Sequence, residues 1–185
     1  MIPEIIAQSE QKMQGAIEHV KEEFAAIRTG RAHPAMFNKL MVDYYGSPTP
    51  LQKLATFQVP EARTVLISPF DRSSMAGIER AIRDSDLGVN PANDGNVIRI
   101  VMPQLTEERR REYIKVTRHK AEEARVAVRN IRRHENEAIH KLVKDKEVGE
   151  DEATRAEKQL DVVTKKYVDQ VDELLKAKEA ELLEV

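Results

Sequence analysis

From Thr106 to Lys146 the chain reads TEERRREYIKVTRHKAEEARVAVRNIRRHENEAIHKLVKDK, with no proline or glycine to stop a helix. One helix over this stretch approaches about 60 Å at a rise of ~1.5 Å per residue. Ala121, Ala124, Val128, Ile131, Ala138 and Leu142 follow a three-four rhythm and make a narrow apolar stripe. At about 100° per residue, Arg111, Lys115, Arg118, Arg125, Arg129, Arg132 and Arg133 share a separate sector roughly 100° wide. A helix with so thin a stripe cannot bury itself alone. It needs partner helices along its whole length, and it leaves the arginine sector turned elsewhere.

Two further stretches supply such partners. Ile6, Met13, Ile17, Val20, Phe24 and Ile27 give the first seam; Pro3 suits an opening turn, and Gly30 is a natural stop. Ala153, Ala156, Leu160, Val163, Tyr167, Val171 and Leu174 give the last, with Glu150, Asp151 and Glu152 at the positive end of its dipole. Gly149 marks a turn within 144–151. Three seams predict an elongated three-helix bundle built from residues 1–30 and 106–185.

Residues 31–105 change character. Segments 39–45, 55–59, 64–68 and 97–102 are rich in β-branched and apolar residues and predict strands. Residues 74–85 predict a helix with Ile78 and Ile82 on one face, while 46–50 and 90–95 carry turn chemistry. The fold class is therefore α+β, with a small β/α/β domain inserted into the bundle. Only two short links cross between them, at about 30–34 and 103–106. Gly30, Arg31, Pro34, Pro103, Gln104, Leu105 and Thr106 are the candidate hinge residues.

Net charge is only −2, but it is unevenly placed. Residues 106–146 hold 13 Lys and Arg against 8 Asp and Glu, and residues 147–185 hold 6 against 12. A basic helix beside an acidic one favours a local polyanion contact over general coating of nucleic acid. Arginine suits that contact, because its planar fork pairs two-pronged with phosphate. The spacing leaves a second reading open, a solvated face of intrahelical ion pairs with Glu108, Glu112 and Glu122, or recruitment of an acidic protein surface.

There is no cysteine, which excludes disulfides and thiolate chemistry. No apolar run approaches the ~20 residues of a membrane span, and no signal pattern opens the chain, so a cytoplasmic protein is expected. His19, His33, His119, His134 and His140 lack metal-ligand spacing and read as surface residues. No GxxxxGK[ST] or GxGxxG loop is present, and no nucleophile–base pair can be proposed. No enzyme activity, metal or cofactor is expected. Tyr44 and Tyr45 read as one buried and one exposed ring at a strand end rather than as a stacking platform.

IRTGRAHP (27–34), VDYYGSPTPLQKLA (42–55), FDRS (70–73), SDLGVNP (85–91), PQLTEERRRE (103–112), ARVAVRNIRR (124–133) and KDKE (144–147) resemble the signatures of the ribosome recycling factors. The resemblance runs nearly end to end. It implies an L-shaped molecule (the three seams, closing on one another, lead us to expect a monomer) whose bundle lies against large-subunit ribosomal RNA and which splits the post-termination ribosome together with elongation factor G. GTP is then used by that partner. It also implies that Arg132 foremost, then Arg129 and Arg110, contact the RNA, with Arg111, Arg118, Arg125 and Arg133 beside them as spacing candidates.

Overall fold

The computed structural model describes residues 1–184. Its elements are α1 (Ile2–Ala25), β1 (Met41–Tyr44), β2 (Ser47–Pro50), β3 (Ala55–Glu61), β4 (Thr64–Pro69), α2 (Met75–Arg83), β5 (Ala92–Asn93), β6 (Ile98–Val101), α3 (Glu107–Lys144) and α4 (Glu150–Leu183), with short 3-10 turns at Pro34–Phe37, Leu51–Lys53 and Arg72–Ser74. The chain forms two compact units. One comprises residues 1–24 and 115–179, the other residues 25–114 and the described residues from 180 onward.

The first unit is the helical one. Ile6, Met13, Ile17, Val20 and Phe24 of α1 are buried, as are Ala121, Ala124, Val128 and Ile139 of α3 and Ala153, Ala156, Leu160, Val163, Tyr167 and Val171 of α4. These are the three seams that the spacing predicts, each shielded by the other two helices. Ion pairs connect all three helices: Lys12 of α1 reaches the buried Glu135 of α3 at 2.7 Å, Lys120 of α3 binds Glu23 of α1, and Lys166 of α4 comes within 4.0 Å of Glu10. Glu135 has only 7% of its side chain exposed. A carboxylate so deep depends on that lysine, since an unpaired buried charge is strongly destabilising.

The second unit carries two sheets. β1 and β2 form an antiparallel hairpin pairing Val42 with Thr49, and β3-β4-β6-β5 form an antiparallel sheet in that order. Ile98, Ile100 and Met102 alternate inward and meet Val65, Ile67, Ile78, Ile82, Phe37 and Leu51 in one core. Gly77 of α2 lies so close to β1 that an added Cβ would stand 3.2 Å from the Asp43 carbonyl. The helix can lie flat on that hairpin only because no side chain intervenes.

Three details depart from the sequence pattern. Residues 46–50, with their turn composition, include strand β2: Pro48 and Pro50 are tolerated because the hairpin has only two strands, and both are edges. The loop segment 90–95 likewise contains the two-residue strand β5. Helix α1 ends at Ala25 rather than near Gly30. Ile27, Arg28 and Thr29 are instead buried in the second unit. There Arg28 Nη1 donates to the Leu87 carbonyl at 2.9 Å and Nη2 donates to the Pro103 carbonyl. Satisfying those carbonyls holds the chain out of helical geometry.

Candidate nucleic-acid interface

In the helical unit, α3 and α4 run side by side and the arginines sort by partner. Arg118 Nε donates to Glu179 at 2.6 Å. Arg125 is more deeply engaged: Nε and Nη2 lie 2.8 and 2.7 Å from Asp172 Oδ1, and Nη1 lies 3.0 Å from Glu122 Oε2. Burial works against its charge, yet the hydrogen bonds to Asp172 and Glu122 hold its pKa above the usual arginine value. These two arginines staple α3 to α4; the donors of Arg125 are largely spent, while Arg118 is engaged through Nε alone.

Arg129, Arg132 and Arg133 differ. Arg129 comes only within 3.7 Å of Glu122, whose other oxygen already serves Arg125. Arg132 reaches Asp161 with one prong at 3.5 Å, while the two side chains remain 43% and 61% exposed. Its Nε is buried with no hydrogen-bond partner among the described residues. Arg133 is exposed and forms no ion pair among the described residues. Two of the seven stripe residues, Arg118 and Arg125, thus hydrogen-bond across the interhelical seam, whereas Arg129, Arg132 and Arg133 present guanidinium donors that an external anion can take. The intrahelical alternative is met in part, through Glu122 with Arg125 and Arg129, Glu112 with Arg109, and Glu107 with Arg111. The partners across the seam were not visible in the sequence, because nothing there fixes which residue of α4 lies beside which of α3.

Arg110 and Arg111 belong to the second unit. Arg111 is exposed and hydrogen-bonded to Glu107 at 2.6 Å. Arg110 is half-buried, its Nε lacking a partner among the described residues, and it lines a cavity of about 500 Å³ with Gly30, Arg31, Arg63, Gln104 and Glu184 among others. Arg31 pairs with Glu184 at 3.2 Å across this cavity. The other candidate hinge residues lie in the same unit, and contacts hold several positions of the two links. Ala32 N–H donates to the Ala62 carbonyl, Pro34 opens a 3-10 turn capped by His33 Nδ1, Leu105 is buried, and Thr106 Oγ1 accepts from Arg109 N–H at 3.1 Å as the cap of α3. Arg28, which binds Pro103, was not picked out by sequence reasoning; a lone arginine between apolar residues gives no spacing signal. Burial lowers its pKa, opposed by Tyr113.

The tyrosine pair resolves as a half-buried Tyr44 and an exposed Tyr45. Tyr44 Oη donates to Asp71 Oδ2 at 2.7 Å, and Tyr45 Oη lies 2.9 Å from Ser73 Oγ. The side chains of His19, His119, His134 and His140 are exposed beside glutamates. Among the described residues no cluster of three His, Cys, Asp or Glu is placed to hold a metal ion. No described helix is long and apolar enough to cross a membrane.

Fold and site together define a class: an α+β protein with long helices, a small antiparallel sheet unit and exposed arginines on α3. The family model described as Ribosome recycling factor matches residues 20–183. The ribosome-recycling factor of Cutibacterium acnes is 69% identical over 182 residues, covering 98% of this chain and 99% of its own. That of Kineococcus radiotolerans is 66% identical, with both chains fully covered. A solution structure of a ribosome recycling factor superposes with a TM-score of 0.75 at 42% identity, over 100% of this chain and 98% of the other. The Thermus thermophilus factor, placed with Escherichia coli elongation factor G on the E. coli post-termination complex, gives 0.69 at 41% identity with full coverage of both chains. The chain belongs to the ribosome recycling factor family.

Proposed function

We propose that the chain recycles ribosomes. It binds the post-termination ribosome as a monomer through large-subunit ribosomal RNA. With elongation factor G and GTP it then promotes separation of the subunits and release from mRNA. The observation that carries this is the full-length likeness to a relative placed with elongation factor G on a post-termination complex, together with Arg129 and Arg132, which are only loosely paired within the chain, and the exposed Arg133. The chain acts in the cytoplasm and has no cofactor and no catalytic residues of its own; GTP is hydrolysed by the partner.

Arg132, Arg129 and Arg133 carry the anchor in this reading, with Arg110 and Arg111 as further contacts. Arg118 and Arg125 serve it indirectly, by fixing α3 on α4. Light scattering of post-termination ribosomes mixed with elongation factor G, GTP and the protein tests the proposal. A drop in scattering is expected with the native chain and is largely lost with Arg132→Ala, while helical circular dichroism stays intact. No drop with the native chain, on ribosomes that a known factor splits, would overturn it. The links at 30–34 and 103–106 serve as a hinge in the same reading, letting the sheet-bearing unit answer elongation factor G while the helices stay anchored.

A further inference from the structure

We propose that Lys165 of α4 joins Arg132 of α3 in a two-cation clamp for one RNA phosphate across the α3–α4 seam, an inference that rests on this face being the ribosomal RNA contact. The seam has a regular register. Arg118 meets Glu179, and Arg125, seven residues on, meets Asp172, seven residues back. Further along, His140 meets Glu157 in the same register. Between these pairs the register sets Lys165 opposite Arg132. A cation stands against a cation where the neighbouring rungs set a basic side chain against a carboxylate.

Each of the two has found a substitute partner. Arg132 reaches one turn along α4 to Asp161, single-pronged at 3.5 Å. Lys165 turns to Asp169 on its own helix at 2.7 Å and is 77% exposed. That hydrogen bond raises the lysine pKa, so the ammonium stays charged. Exposed pairs of this kind hold weakly. A phosphate entering at this rung accepts from the guanidinium and the ammonium together, and it places an anion where the register lacks one. The exchange returns Asp161 and Asp169 to solvent, at little cost because both are already exposed.

The test is binding to isolated large ribosomal subunits across a salt series, for the native protein, Lys165→Gln, Lys165→Arg and Arg132→Ala, with circular dichroism as the folding check. Lys165→Gln is expected to weaken binding about three- to tenfold at low salt and to lower the log–log salt slope by about one. Lys165→Arg, which keeps the charge, restores most of both. Loss of a purely structural contact would leave the slope unchanged. Weak binding by Arg132→Ala with native affinity and slope in Lys165→Gln overturns the clamp and leaves the wider reading standing. Failure of Lys165→Arg to rescue also overturns it. Native behaviour in Arg132→Ala removes the arginine face itself, and the clamp with it.

Discussion

Asp161 and Glu122 hold the guanidinium groups assigned to RNA, at 3.5 Å from Arg132 and 3.7 Å from Arg129. An exposed pair at such a distance is worth about 0.2–1 kcal/mol. Asp161→Asn is therefore expected to bind large subunits up to about fivefold tighter at low salt. Weaker binding would mean that Asp161 orients the fork instead of competing for it. A second residue-scale prediction concerns Asp71, whose carboxyl is held below the usual carboxylate range by hydrogen bonds from Tyr44 Oη and from the N–H and hydroxyl of Ser73. The same hydrogen bond raises the Tyr44 phenol above its usual value. Stability from Asp71 is complete above the unfolded carboxylate pKa and is lost as pH falls through the lowered folded one. Stability from Tyr44 is complete below the unfolded phenol pKa and is lost as pH rises through the raised one. Tyr44→Phe should move the Asp71 titration, followed by carboxyl NMR, upward toward the usual range; an unmoved titration would refute the coupling. Arg132 and Arg129 were legible in the sequence because stripe and resemblance agree on them. Lys165 was not, since its role arises from the register between two helices and not from any spacing within one.

The long helices were legible because a three-four apolar rhythm is a local signal and nothing interrupts it. Leu160 sits fully buried in the α4 seam. Leu160→Ala should cost about 2–5 kcal/mol by chemical denaturation of the helical signal; a loss below ~1 kcal/mol would mean that the seam is loosely packed. The second unit was legible in outline only. β3, β4 and β6 announce themselves through β-branched residues, whereas β2 is built from Ser, Pro and Thr. Its place depends on the turn before it, where Tyr45 and Gly46 both adopt positive φ, 51° and 80°, as a tight hairpin of the primed type requires. A tyrosine in that conformation is uncommon, and composition gives no warning of it. The early end of α1 was hidden for a related reason. Helix propensity continues past Ala25, but the tertiary pull of Arg28 on two carbonyls overrides it.

For the whole molecule, the proposed division of labour separates holding the ribosome from splitting it, and Pro103 is where the two can be tested apart. Its carbonyl accepts from Arg28, a bond that the backbone of any replacement residue can keep. Pro103→Gly therefore changes chain stiffness and not the contact: glycine releases the fixed φ of proline and widens the freedom of the link. The principal anchor arginines, Arg129, Arg132 and Arg133, lie in the other unit, on α3, so the substitution leaves their donors and counter-ions as they are. Binding to vacant ribosomes is expected to stay within about twofold of native across a salt series, because that term follows the number of phosphates neutralised. A softer link absorbs a push rather than passing it on. The rate of splitting with elongation factor G and GTP, followed by light scattering, should thus fall several-fold under conditions where the factor is bound. Equal loss of binding and splitting would contradict the hinge and make 103–106 part of the anchor. Unchanged splitting would show that the force reaches the ribosome without crossing this link.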